Sequence, residues 1–324
     1  MSTNNLKGIG FLLLALLIMS LQGVAVKFIG GSYSIMEIVL FRSFIALPCT
    51  LLLFRLEGKR GLPTTTRPAL EITRGIFFFL SYTTAFMGLA ALPLAEVEAI
   101  RFSGPLMITL LSVWMLHERV NLSRWMALIV GFVGVILIVR PGSASFNLGS
   151  VFVLISVFFY AVNAMLTRKL RTTDSSATMS YFSSLVYLVA AIVLSPLTLL
   201  AGDVSNAHPS IAFLLRAWTM PTFLDWAVMS GLGLVWAFGM YFIARAYSAA
   251  QASAVAPFEY ASLPINIMWG FLFWREIPSA LTITGAFLTL LSGLFILYQE
   301  QKGKLEKLQE INTSHPPEIL EELK

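Results

Sequence analysis

The stretch SGPLMITLLSVWMLHERV, residues 103–120, is answered later in the chain by SLPINIMWGFLFWREIP, residues 262–278. Pro105 aligns with Pro264 at an offset of 159, and Glu118 with Glu276 at 158. Each glutamate is followed by one further apolar run, RWMALIVGFVGVILI after the first and LTITGAFLTLLSGLFIL after the second. An earlier echo sets Gly8, Gln22 and Lys27 against Gly149, Asn163 and Arg168 at a constant offset of 141. The pattern reads as a tandem duplication of a five-helix unit, with the drift in offset absorbed by the connection at 201–222. A unit with an odd number of spans re-enters the membrane upside down. The halves are therefore expected to be related by a two-fold axis in the membrane plane, the plan of secondary transporters.

The duplication belongs in a bilayer because of composition. Of the 324 residues, 57% are hydrophobic and 12% charged, and the mean hydropathy is +0.80. A soluble domain carries about 25% charged residues, so this chain could not cover a water-facing surface. The one cysteine, Cys49, excludes an intrachain disulfide and argues against a thiolate metal cluster. Lys7 followed by GIGFLLLALLIMS resembles a signal peptide but has no small-x-small cleavage site, and is read as a retained first span.

Apolar windows of about twenty residues give ten transmembrane helices, so the fold class is all-α integral membrane. The spans are 8–28, 34–54, 71–91, 94–116, 122–139, 149–169, 177–200, 223–245, 251–274 and 280–298. The first repeat then covers 8–140 and the second 141–300, with 301–324 a charged, mobile cytoplasmic tail that is helical up to about His315-Pro316-Pro317. The longest connection, Ala201 to Thr222, has room for an interfacial helix. With both termini inside, sixteen Lys and Arg fall on the cytoplasmic side; Lys27, Arg140, Arg216 and Arg275 fall outside. This is a positive-inside distribution, and it accounts for the net charge of +5 without invoking nucleic acid.

RGIFFFLSYTTAFMGLAALPLAEVEAI (74–100), continued from Pro105 to Pro141, resembles the first EamA domain of the drug/metabolite transporter superfamily; residues 244–297 resemble the second. The resemblance spans about 8–300 and rests on a proline 12 or 13 residues before a span-ending glutamate, followed by a glycine-containing helix. Gly8-Ile9-Gly10, Glu37-Ile38 with Phe41-Arg42, and Thr65-Thr66-Arg67-Pro68 are similar to segments of the branch with S-adenosylmethionine uptake transporters. Riboflavin carriers are further relatives. The resemblance implies a ten-helix carrier of the bacterial cytoplasmic membrane, monomer or homodimer, that moves a small organic metabolite without a cofactor or metal. It also implies that polar residues within spans surround a central cavity.

The candidates for that cavity come from the residues themselves. In AEVEAIRFSGP (95–105), Glu98, Arg101 and Pro105 share one helical face, and ionisable groups in spans usually face a pathway. Such a pair suits a charged or zwitterionic solute, although a structural ion pair fits nearly as well. Glu96 is off this face and can snorkel. Arg42 has no acid three or four residues away, so its partner must lie on another helix, a lipid headgroup or the solute. Glu259 and Tyr260 occupy the level of Glu98 and Arg101 in the second repeat. Glu98 and Glu259 are the candidates for proton coupling, if the carrier is proton-driven rather than an exchanger. Gln22 and Asn163 are expected to face the axis, and Tyr160, Trp236 and Tyr241 could stack on a flat ring. Pro105, Pro257 and Pro264 mark hinges. Glu118 and Glu276 read as caps of the helices that follow them or as holders of short loops, and Gly131, Gly134, Gly285 and Gly293 as close-packing positions.

A membrane enzyme would need a reactive constellation, and no H-E-x-x-H or G-x-S-x-G occurs. The three histidines, His117, His208 and His315, lie in loops or the tail. A receptor would leave the repeat unexplained, and an exporter of the same fold remains open beside an importer.

Overall fold

The computed structural model describes residues 3–314, apart from 57, 59, 117–120, 144–145, 171–172, 201, 203, 205 and 250–255. The described residues form helices and no strand: α1 (Thr3–Ile29), α2 (Ile35–Leu56), α3 (Pro68–Leu89), α4 (Leu94–Arg101), α5 (Gly104–Leu116), α6 (Leu122–Val139) and α7 (Leu148–Leu170). They continue with α8 (Ser176–Leu194), α9 (Pro196–Leu200), α10 (Pro209–Leu215), α11 (Phe223–Ala249), a 3-10 turn (Ala256–Ala261), α12 (Ser262–Trp274) and α13 (Ala280–Ser314). Lipid offers the backbone no hydrogen bonds, so long apolar runs close their own ladders as helices. Nine runs among the described residues are long and apolar enough to cross a membrane, α4 and α5 together counting as one.

Local chemistry sets the boundaries. Asn121 caps α6 by accepting the Arg124 amide at 3.0 Å, and Ser175 caps α8 through the Thr178 amide at 3.3 Å. α3 begins at Pro68, whose missing amide costs nothing in a first turn. Arg140 and Arg275 end α6 and α12 in the left-handed region, at φ of 50° and 57°.

Two predicted spans are interrupted rather than continuous. Residues 94–116 divide into α4 and α5 at Phe102-Ser103. The cause is Pro105, which has no amide to give the Arg101 carbonyl. Pro264 deprives the Tyr260 carbonyl in the same way, and there the tight turn 256–261 gives way to α12. The expected span 251–274 falls partly outside the described residues, and α12 alone, with 13 residues, is too short to cross. Glu118, His117 and His315 also lie outside the described residues.

The packing pairs helices across the halves: α3 on α7, α1 on α11, α6 on α13, and α2 on α8. Close approach depends on missing side chains. A Cβ at Gly88 would lie 2.3 Å from Val153, where Ser81 also donates to the Ser156 carbonyl at 2.9 Å. A Cβ at Gly285 would lie 2.5 Å from the Gly134 carbonyl, so the expectation for the four glycines holds here at backbone distance. The main core joins Val26, Ile38, Phe79, Tyr187, Phe213 and Met229. The 201–222 connection carries a short helix, α10, docked on the bundle: Phe213 is buried, and Arg216 donates to the Gly30 and Tyr33 carbonyls.

Arg74, counted among the charges of the cytoplasmic side, is buried in the second turn of α3. Its Nε donates to Glu71 at 3.1 Å, and Nη2 donates to the Met179 carbonyl and to Ser183 Oγ. Three partners of different geometry suit a guanidinium and not an ammonium. Arg74→Lys should therefore cost about 1–2 kcal/mol, read as a lowered Tm of the purified protein.

Candidate functional site

The interruption in α4–α5 places charge at mid-span. Glu98 and Arg101 sit one turn apart at the end of α4 and form an ion pair at 3.5 Å. Glu98 is largely buried, whereas 52% of the Arg101 side chain is exposed. Tyr160 of α7 stands against the break, its ring 3.9 Å from where a Gly104 Cβ would be, within the electrostatic reach of Arg101 and Glu259. Glu259 is exposed, while the neighbouring Tyr260 is buried and meets Phe102 edge to face at 4.9 Å. The Tyr260 hydroxyl occupies the position where Gly293 has no side chain. Five of the sequence candidates thus meet here: Glu98, Arg101, Tyr160, Glu259 and Tyr260. A guanidinium exposed in a membrane-crossing segment costs ~3–10 kcal/mol in lipid, a cost lowered by snorkelling, by an ion pair or by a face that meets water.

A second cluster surrounds Arg42. The side chain is 3% exposed, and its guanidinium carbon lies 3.9 Å from the Tyr82 ring centre, 4.7 Å from Tyr187 and 5.2 Å from Trp236. Four helices, α2, α3, α8 and α11, contribute to this cage. Nε and Nη1 have no hydrogen-bond partner among the described residues, and neither do the Tyr82 hydroxyl and Ser43 Oγ. Each ring contributes ~0.5–2 kcal/mol, and each unsatisfied donor costs ~1–3 kcal/mol. The rings and the unsatisfied donors roughly cancel, and the desolvation of the charge itself is left uncompensated. Trp236 is one wall of this cage.

At the end of the bundle where α1 finishes, the two interrupted spans are tied together. Lys27 forms an ion pair with Glu276 and donates to the Leu92 carbonyl at 3.1 Å. Glu276 Oε2 accepts the Leu94 amide at 3.2 Å, at the first residue of α4. Glu276 was expected to cap the helix after it; it caps α4 of the other half instead, because Arg275 turns left-handed and sends the chain back over α12. Glu96 does not snorkel but accepts from Thr282 at 3.3 Å, and Arg140 donates to Ser279 and Thr282 beside it. Tyr33 donates to Asp225 at 2.7 Å, and that bond raises the phenol above its ordinary range. This end will be called the Lys27 end.

The remaining candidates divide. Gln22 and Asn163 are both buried, and each has one unpartnered atom, Nε2 and Oδ1 respectively. Tyr241 joins neither cluster: five residues past Trp236 it points about 140° away, 39% exposed against Phe242. Pro257 lies in the backbone of the 256–261 turn. Sequence reasoning missed Tyr82 and Tyr187, which carry no signal beyond being aromatic. It also missed the Lys27–Glu276 pair, although both residues had been singled out as repeat markers.

The comparisons with known proteins agree with this picture. The model of the EamA-like transporter family matches residues 6–140. The chain is 26% identical to the S-adenosylmethionine uptake transporter of Rickettsia prowazekii, over 93% of this chain and 96% of that one. It is 30% identical to the pseudopaline exporter of Pseudomonas aeruginosa, over 91% and 97%. With the riboflavin transporter of Vibrio cholerae identity is 33%, over 65% of this chain and 64% of that one. A solved crystal structure shares the fold at a TM-score of 0.59 and 15% identity, covering 91% of this chain and 97% of that one. Membrane-length helices among the described residues, with relatives named as transporters of S-adenosylmethionine and riboflavin and as an exporter of pseudopaline, define a multi-pass membrane transporter of small organic metabolites. The chain belongs to the EamA-like transporter family of the drug/metabolite transporter superfamily.

Proposed function

We propose that this protein is a secondary carrier of the bacterial inner membrane that works by alternating access and catalyses no covalent chemistry. Its termini are cytoplasmic, and its ten spans form two inverted repeats, 8–140 and 141–300. The observation that carries the reading is the pair of interrupted spans. α4 packs on α12 near the Lys27 end, while α5 turns to α7; Arg101 and Glu259 are exposed beyond the meeting point. The described state is then closed outside and open toward the cytoplasm. Helix pairing supports the inversion: exchanging the halves turns α3 on α7 into α1 on α11, and leaves α2 on α8 and α6 on α13 unchanged.

The solute is S-adenosylmethionine or an amino-acid-like compound, with a riboflavin-like solute as the second reading, and the carrier works by uptake or exchange, or as an exporter of the same fold. Where transport is pH-driven, the carboxylates that would exchange the proton are Glu98 and Glu259, both at the break between the interrupted spans. Purified protein in liposomes loaded with S-adenosylmethionine should accumulate labelled S-adenosylmethionine by counterflow, and Glu259→Gln should abolish its stimulation by a pH gradient. Counterflow of neither S-adenosylmethionine, amino acids nor riboflavin by folded protein would contradict the carrier reading.

A further inference from the structure

We infer that Arg42 is the subsite that binds a carboxylate of the transported solute. The inference rests on the carrier reading above and adds a chemical requirement to it. Among the described residues Arg42 is the one charged residue lining a narrow recess shared with Ser43, Ala46, Ser184, Tyr187 and Trp236. Two of its three guanidinium nitrogens make no hydrogen bond of good geometry among the described residues, with only the phenol oxygens of Tyr82 and Tyr187 near them, and Ser43 Oγ beside it is also unpartnered. Ring faces offset part of the cost of a buried cation, but they accept no N–H hydrogen bond in the guanidinium plane.

The charges that could neutralise Arg42 from within the chain are otherwise placed. Ser183, also in the recess lining, is held by Arg74, and Arg74 is itself paired with Glu71. Glu37, five residues before Arg42 on the same helix, lies about 140° around it. The Glu37 carboxylate faces the backbone of Ser34 and Thr219 instead, and among the described residues no bond joins it to Arg42. The recess therefore carries one uncompensated positive charge, which matches a monoanion such as a carboxylate and not a phosphate dianion. The lining closes on itself in this conformation and leaves no room for a solute. Occupation requires the four helices that wall the recess to part, α2 and α3 of the first half from α8 and α11 of the second.

The consequence is a specificity rule. S-adenosylmethionine and amino acids carry a carboxylate, and riboflavin carries none. The test measures S-adenosylmethionine and decarboxylated S-adenosylmethionine, each as a competitor of labelled S-adenosylmethionine counterflow, with binding to purified protein followed by thermal shift. On the unmodified protein the decarboxylated compound should bind at least about tenfold more weakly. Arg42→Gln should erase that difference by weakening only the carboxylate form, and Arg42→Lys should keep part of it. Equal binding of the two compounds by unmodified protein overturns the inference while leaving the carrier reading intact. So does efficient counterflow of riboflavin with none of S-adenosylmethionine. Counterflow of no solute in the panel overturns both. The comparison of two solutes on unmodified protein keeps the inference falsifiable even if Arg42→Gln fails to fold.

Discussion

Gly285→Leu should leave little folded protein. Gly285 faces Gly134 across α6 and α13, and a Cβ there would lie 2.5 Å from the Gly134 carbonyl and 2.7 Å from Ile138 Cγ1. A carbonyl oxygen in a helix cannot step aside without moving the helix. In lipid no hydrophobic driving force holds helices together; contact between small residues does. Separating α6 from α13 also strips the Thr289 bond to the Gly131 carbonyl and the Ser292 bond to the Ala127 carbonyl. Overpacking costs ~1–3 kcal/mol and more where backbone must move, so a loss of roughly 3 kcal/mol or more is expected. It would appear as a several-fold drop in monodisperse yield. Gly10→Ala is the matched control, since nothing lies within 4 Å of its added Cβ, and it should be silent.

Lys27→Met should open the Lys27 end. It removes the partner of a carboxylate whose side chain is only 20% exposed and which also holds the first amide of α4. Breaking a fully buried pair costs ~3–5 kcal/mol; partial exposure lowers that to ~1–3 kcal/mol. Because ~1.4 kcal/mol is tenfold in a conformational equilibrium, the fraction open at this end should rise about tenfold. Leu92 is buried there, and its carbonyl accepts from Lys27. In a Cys49→Ser background, a Leu92→Cys probe should react with a maleimide about ten times faster once Lys27 is gone. The exchanged pair, Lys27→Glu with Glu276→Lys, should restore closure only in part. A lysine at 276 would face the positive N-terminus of α4, where the native carboxylate is favoured. Full rescue would mean that the cap at Leu94 contributes nothing.

The sequence made some features legible and hid others for physical reasons. Span positions follow from hydrophobic length, which lipid enforces on each segment independently of the rest. The interruptions were announced by Pro105 and Pro264, because a missing amide acts locally. The ion pair of Glu98 and Arg101 is a matter of helical spacing and was equally readable. Contacts between helices are different. The rings around Arg42 come from positions 82, 187 and 236, and no local pattern says which aromatics turn toward a cation. Trp236 and Tyr241 looked alike in sequence, yet five residues of helix separate a buried cage wall from an exposed ring. Lys27 and Glu276 could have been found. Both are repeated charges of opposite sign at span ends on the same predicted side, and such pairs are candidates for closure between halves.

The central claim is that the face of Arg101 opens to one side of the membrane at a time. Arg101→Cys in a Cys49→Ser background, labelled in sealed vesicles with a membrane-impermeant maleimide, tests it directly. With Lys27 and Glu276 intact, labelling should come only from the side of the C-terminal tail. With Lys27→Met added, it should come from both sides. Labelling from the Lys27 side while the ion pair is intact, or from neither water phase, would contradict the account.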